Sequence, residues 1–329
     1  MKESLFYSKL KNDFVRCELC PHFCVISENG LGLCKVRRNI AGKLYSLNYG
    51  KTVAFGVDPI EKKPLYHFYP GSLTLSIATT SCNFKCQFCQ NHEISQSVTD
   101  GRNISPELIL DYCKSKNIKI VSFTYTEPTI WFEFILDACK ILKANNIKTV
   151  LVTNGYINPK PFELLSKFID AMNIDLKSFN NDFYKDICGG TLAPVLQTIK
   201  TAFQKNIHIE ITNLVITDLN DNADEFRDLV NFIKNINNEI PLHISRYFPV
   251  YLLKNKMTSL DKMLEFYEIS RKDLSHVYLG NINNDAKYSK TVCPDCGTVL
   301  IDRNQYNITE NFIVDGKCPQ CGRKIYGYF

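Results

Sequence analysis

Between residues 73 and 280 the chain alternates short β-branched apolar runs with longer stretches whose apolar positions recur at helical spacing, the signature of repeated βα units around a parallel sheet. The apolar runs predict strands over 73–78, 119–123, 148–152, 171–175, 208–214 and 242–248, with a weaker one over 277–279. The stretches between them predict helices over 130–144, 160–167, 192–204, 224–236 and 259–270. One more helix starts at Ser105, a good N-cap, with Pro106 in its first turn and Ile109, Leu110 and Cys113 as its apolar face. Six βα units are too few to close an eight-stranded barrel. The pattern therefore predicts an α/β fold, an open partial (βα)6 barrel with functional groups at the carboxyl ends of its strands. Small cysteine-rich modules flank it, which divides the chain into an N-terminal module (1–50), a lead-in (51–72), the barrel (73–280) and a C-terminal ribbon (281–329).

Composition narrows the class. With 45% apolar and 22% charged residues the chain is expected to be globular rather than disordered. No run approaches the roughly 18 apolar residues of a membrane span. The opening MKESLFYSKLKNDF lacks the apolar stretch of a signal peptide, so a cytoplasmic protein without membrane contact is expected. Of fourteen cysteines, eleven fall into groups with metal-ligand spacing, which a reducing cytosol keeps available. Cys113, Cys139 and Cys188 stand alone and read as small buried apolar residues. A net charge of +5 tolerates an acidic partner or nucleic acid and demands neither.

The sharpest signal is TTSCNFKCQFCQN. Cys82, Cys86 and Cys89 have the spacing CxxxCxxC, suited to a four-iron, four-sulfur cluster (4Fe–4S) with one iron left unligated. Four ligands would close the cluster for electron transfer alone, whereas three leave an iron able to chelate a substrate. Half of a zinc site, or chance in a cysteine-rich chain, is the alternative reading. The preceding apolar run 73–78 puts this loop at a strand's carboxyl end, and Phe88 stands just before the last cysteine.

Strand, loop, spacing and aromatic together resemble the radical S-adenosylmethionine (SAM) enzymes. Thr124-Tyr125-Thr126-Glu127-Pro128 is similar to the family's glycine-glycine-glutamate-proline segment, whose backbone receives the SAM amino group, although Tyr125 and Thr126 replace the glycines; an ordinary strand-end turn is the alternative. Thr153-Asn154-Gly155 and Asp175-Leu176-Lys177 resemble segments of pyruvate formate-lyase activating enzymes that lie near SAM. Where those enzymes carry an aspartate that helps hold a monovalent cation, this chain has Val152. The resemblance thus implies Thr126, Glu127, Asn154, Asp175 and His243 as cofactor-binding residues. Asp175 would orient the sulfonium side of SAM or a neighbouring lysine, or simply cap its loop. His243 would approach SAM or be a satisfied core residue, and Arg246 would face away from it on a regular strand.

Cys293-Pro-Asp-Cys296-Gly and Cys318-Pro-Gln-Cys321-Gly form a zinc-ribbon pattern, a closed tetrahedral thiolate site. Cys17, Cys20, Cys24 and Cys34 leave zinc, an auxiliary iron–sulfur cluster and free thiols open, with His22 able to replace one ligand. Together with the segment 58–71, these modules extend the resemblance over nearly the whole chain to one branch, the AmmeMemoRadiSam system radical SAM enzymes, which is associated with Memo-like and AMMECR1-like proteins. The resemblance implies reductive cleavage of SAM to a 5′-deoxyadenosyl radical, hydrogen abstraction from an unidentified substrate, and a reductase, flavodoxin or ferredoxin as electron donor. It also leaves His67 either touching the SAM pocket or in a structural role. The alternatives are a glycyl-radical activase and, from another class, a zinc-binding interaction protein or an RNA-binding protein, although no arginine-rich or aromatic-basic stripe supports nucleic acid.

Overall fold

Seven parallel strands lie side by side in chain order and form most of the central sheet in this computed structural model, which describes residues 1–282 and 286–329. With the edge strand that precedes them they are β1 (Ala54–Pro59), β2 (Leu73–Ala78), β3 (Ile120–Phe123), β4 (Lys148–Thr153), β5 (Ala171–Asp175), β6 (His208–Val215), β7 (Leu242–Arg246) and β8 (Val277–Gly280). Helices α1 (Pro106–Ser115), α2 (Phe132–Ala144), α3 (Pro159–Ser166), α4 (Leu192–Gln204), α5 (Ala223–Ile236) and α6 (Leu260–Arg271) each link two successive parallel strands. This is the open partial (βα)6 barrel that the alternating pattern predicts. Ser105 caps α1 by accepting the Leu108 amide at 3.2 Å. The strands are buried on both faces, hence the near-continuous apolar runs that made them legible.

The lead-in is part of this architecture rather than a segment apart. β1 pairs antiparallel with β2 from Ala54 opposite Ala78 to Pro59 opposite Leu73. It escaped the sequence reading because Gly56 and Pro59 interrupt it and its residues are half-exposed. Beyond it, Ile60, Leu65 and Phe68 pack on Ile120, Val150 and Ala171, near the starts of β3, β4 and β5, and so fill the amino-terminal end of the barrel. The chain's last residues seal this plug: the Tyr69 amide donates to the Tyr328 carbonyl (2.7 Å) and the Tyr328 amide to the His67 carbonyl (2.8 Å). Only glycine fits at 327, where φ is 133° and a Cβ would lie 2.3 Å from the His67 oxygen.

The N-terminal module consists of two small antiparallel sheets. Arg37 pins it to the barrel through both oxygens of Glu133 on α2 (2.8 and 2.7 Å), a pair 1% exposed on each side. At the other end, strands Thr291–Val292, Val299–Asn304 and Asn307–Asn311 enclose a separate small core of Cys293, Leu300, Ile301, Cys318 and Ile325. Residues 283–285 of the expected ribbon segment lie outside the described residues.

Candidate functional site

Cys82, Cys86 and Cys89 lie in the loop after β2, at the carboxyl end of the barrel, and line a cavity of about 450 Å³. Ser81 (φ 74°) enters the loop with its amide on the Ile94 carbonyl at 2.7 Å. The Lys85 and Gln87 amides donate to the carbonyls of Cys188 (2.8 Å) and Ile187 (3.0 Å), tying the loop to the turn that follows β5. Gly190 permits this approach, since a Cβ there would lie 2.3 Å from the Phe84 ring.

Each sulfur has a polar neighbour. The Phe84 amide donates to Cys82 Sγ (3.3 Å), Asn154 Nδ2 lies 3.8 Å from the same sulfur, and Ser95 Oγ is 3.0 Å from Cys89 Sγ. The Cys188 thiol near Cys86 holds it below its ordinary range, while burial pushes Cys188 itself well up. Cys188 is buried in the core, as expected, and also neighbours the triad. Nothing in its spacing from the other cysteines announced this. Three thiols served by donors and backed by the Lys177 ammonium fit an anionic iron–sulfur cluster.

The strand ends supply the rest of the wall. Glu127, 1% exposed, accepts from the amides of Thr129 (2.9 Å) and Asn154 (2.8 Å) and from Thr153 Oγ1 (2.7 Å), so its carboxylate fastens the ends of β3 and β4 together. Burial pushes Glu127 up, with these bonds acting against it. Thr126 Oγ1 donates to the Thr79 carbonyl (2.8 Å), and Asn154 Nδ2 to Asn83 Oδ1 (2.8 Å) on the cysteine loop. Tyr125 has a φ of 68°, the conformation glycine adopts freely. Its hydroxyl donates to Asp58 Oδ2 (2.6 Å), and Lys63 Nζ lies 4.4 Å from its ring. Asp175 pairs with Lys177 at 3.0 Å, and both line the cavity together with Val152.

His243 stands apart from this cavity. Its Nε2 is 2.6 Å from Glu210 Oε2, and it borders a second cavity of about 1060 Å³. Glu210 also receives His208 (3.0 Å) and the amides of Tyr66 (3.0 Å) and His67 (2.7 Å). Burial opposes its charge, but the two histidines outweigh that and hold its carboxyl well below the usual range. His67 does not line the cysteine cavity: fully buried in the plug, it meets the Tyr326 carbonyl (2.7 Å) and the Tyr278 hydroxyl (2.6 Å). Arg246 turns away as expected, its Nε donating to the Thr258 carbonyl at 2.6 Å. The second cavity shares Lys62, Pro64, Gln90, Ser245, Asn281 and Tyr306 with the first, and the ribbon contributes Asp302, Arg303 and Thr309 to its wall. Arg303 anchors the ribbon there by donating to the Tyr66 carbonyl at 2.7 Å.

In the ribbon, Cys293, Cys296, Cys318 and Cys321 have their sulfurs all within 4.8 Å of one another. In the N-terminal module His22 Nε2 is 2.8 Å from the Asn83 carbonyl oxygen.

This arrangement of strand-end loop, triad and cavity is that of a radical SAM enzyme, and comparison with known proteins agrees. The profile of the radical SAM superfamily matches residues 76–233. The uncharacterised protein MJ0808 of Methanocaldococcus jannaschii is 41% identical over 337 aligned positions, covering 99% of both chains. The pyruvate formate-lyase-activating enzyme of Clostridium pasteurianum is 26% identical over 62% of this chain and 87% of its own. Among solved structures, Streptococcus suis SuiB bound to S-adenosylmethionine matches 68% of this chain and 53% of its own with a TM-score of 0.51 at 20% identity, a likeness of fold. The chain belongs to the radical SAM superfamily, which implies a 4Fe–4S cluster and SAM as its cofactors.

Proposed function

We propose that the chain reductively cleaves SAM at a cluster held by Cys82, Cys86 and Cys89 and abstracts a hydrogen atom from a substrate lodged in the adjoining cavity. The observation that carries this reading is the continuity of the two spaces: the cavity holding the cysteines shares six lining residues with one of about 1060 Å³. That is room for a second molecule beside the cofactor. A bound cluster would supply one electron to the SAM sulfonium, giving methionine and the 5′-deoxyadenosyl radical. The chain's own residues then orient and enclose. Asn154 and Glu127 lock the ends of β3 and β4 against the cysteine loop, Asp175 and Lys177 set the charge on one wall, and the ribbon and lead-in wall the second cavity.

Anaerobically reconstituted protein with dithionite and SAM tests this. It should form 5′-deoxyadenosine, and the Cys82→Ala/Cys86→Ala/Cys89→Ala variant should form none; product from that variant would refute the assignment.

A second reading is favoured by the relatives named pyruvate formate-lyase-activating enzyme: the substrate is then a glycine loop of a partner protein. A glycyl-radical signal on a co-purified partner after turnover would decide for it. As a member of the AmmeMemoRadiSam branch, the enzyme would have the Memo-like and AMMECR1-like proteins as candidate partners and a reductase, flavodoxin or ferredoxin as electron donor. We assign zinc to the ribbon as a structural ion and place the protein in the cytoplasm, where its thiols stay reduced. Among the described residues no helix is long and apolar enough to cross a membrane.

A further inference from the structure

The N-terminal cysteines form the largest cluster of ligand side chains that this function leaves unused. Cys17 closes strand Val15–Cys17, which pairs antiparallel with Val25–Ile26, and its amide donates to the Cys24 carbonyl at 2.9 Å, so Cys17 and Cys24 lie side by side. A tight turn in which the Phe23 amide donates to the Cys20 carbonyl (3.2 Å) brings Cys20 beside them. Cys34 comes from a separate loop. Its carbonyl accepts Ser81 Oγ at 2.7 Å, while His22 Nε2 meets the Asn83 carbonyl oxygen at 2.8 Å. The module is thus fastened on both sides of Cys82. All four thiols lie within electrostatic reach of one another.

The spacing of the sulfurs separates the candidate metals. With Zn–S about 2.3 Å, a tetrahedral zinc sets its sulfurs ~3.8 Å apart. The ribbon meets this, with Cys293–Cys321 at 3.5 Å and Cys296–Cys318 at 3.6 Å. Among the described residues the ribbon quartet is the one set of three or more ligand side chains whose donor atoms all lie within 4.8 Å of one another. Cys17, Cys20, Cys24 and Cys34 converge without meeting that limit, and neither do Cys82, Cys86 and Cys89. Neither of these two sets is as compact as the ribbon quartet, and in an iron–sulfur cluster, unlike a single zinc, each thiolate holds a different iron.

A second observation points to an anionic guest. Arg37 is 1% exposed, and its Nε–H, buried, finds no acceptor among the described residues, although both terminal nitrogens are bonded to Glu133. Its guanidinium lies within reach of Cys17 and Cys34. A buried donor without a partner is costly, and the sulfide of a cluster is an acceptor for it.

We propose that Cys17, Cys20, Cys24 and Cys34 hold a second iron–sulfur cluster, closed by four thiolates and set against the loop of the first. Metal analysis of the full chain reconstituted anaerobically with iron, sulfide and zinc tests it. The wild type should contain one zinc and clearly more than the roughly four irons of a single cluster. The Cys82→Ala/Cys86→Ala/Cys89→Ala variant should keep iron and, once reduced, show an electron paramagnetic resonance signal that SAM does not alter. Cys20→Ala/Cys24→Ala should lose that iron and keep the SAM-responsive signal. Two zinc ions per wild-type chain, or about four irons with the N-terminal thiols free to alkylation, would overturn the proposal. Neither result depends on whether SAM is cleaved, and the wild-type count stands even if a variant fails to fold.

Discussion

The Tyr125 hydroxyl donates to the Asp58 carboxylate at 2.6 Å, and this bond holds in place a backbone with φ of 68° at the edge of the cysteine cavity. A left-handed conformation costs a non-glycine residue about 1–2 kcal/mol, which the surrounding contacts must offset. Lys63, 1% exposed, completes the anchor at 2.8 Å from Asp58, and with Lys62 and Tyr125 it outweighs burial and holds that carboxyl below its usual range.

Tyr125→Phe should accordingly lower stability by about 1.5 kcal/mol, the lower end for a bond to a charged group because Asp58 keeps both lysines. Apparent SAM affinity should fall in the same variant as the segment loosens. Denaturant titration and SAM binding to the reconstituted protein are the measurements, and an unchanged variant in both would make the anchor idle.

Asp175 carries a smaller stake than a buried carboxylate would, since its side chain is 36% exposed beside Lys177. Asp175→Asn should reduce apparent SAM affinity by roughly tenfold, equivalent to about 1.4 kcal/mol, while iron content stays unchanged. Titrating SAM against the reduced cluster's electron paramagnetic resonance signal measures it, and wild-type affinity would reduce Asp175 to a partner of Lys177.

The Cys188 thiol near Cys86 should make the catalytic cluster easier to reduce, because a polar S–H next to a ligand sulfur offsets the added negative charge. Cys188→Ala should lower the reduction potential by roughly 40 mV, the one-electron equivalent of about 1 kcal/mol. An unshifted redox titration would leave Cys188 as packing alone.

If the ribbon holds the zinc proposed for it, Cys321→Ser should remove that ion and loosen the domain ahead of the barrel, because a core of Leu300, Ile301 and Ile325 is too small to stand without it. Zinc analysis with hydrogen exchange over residues 291–325 checks this. A metal-free ribbon protected as well as the wild type would refute it.

Stability should also fall in mild acid. Burial pushes His276 down to about 4 from its ordinary value near 6.5, so the folded state binds this proton less readily than the unfolded chain. Its contribution, at most roughly 3 kcal/mol, is complete above pH ~6.5 and is lost as pH falls towards 4. His276 Nε2 has no hydrogen-bond partner among the described residues, and its ring lies 4.4 Å from His67. His276→Gln should flatten the pH dependence of the unfolding midpoint across that window, and an unchanged slope would assign it to other groups.

The sequence by itself determined the barrel, the triad and the ribbon. Strands buried on both faces need continuous apolar runs, helices covering them need a 3.6-residue repeat, and metal ligands contributed by one short loop must be close in sequence. Those constraints are local, so β2 to β8 and Cys82, Cys86 and Cys89 could be read directly. The tertiary structure decided what depends on distant segments meeting. Asp58 reaches Tyr125 across 67 residues, Cys188 reaches Cys86 across 102, and Arg303 reaches Tyr66 across 237. It also separated His243 from the cysteine cavity, although both lie on the barrel, because Glu210 on the neighbouring strand holds that imidazole at 2.6 Å. Such pairings leave no periodicity in the chain. They are fixed by where strand ends, plug and ribbon converge, and a buried charge takes whichever partner the fold brings within hydrogen-bond reach.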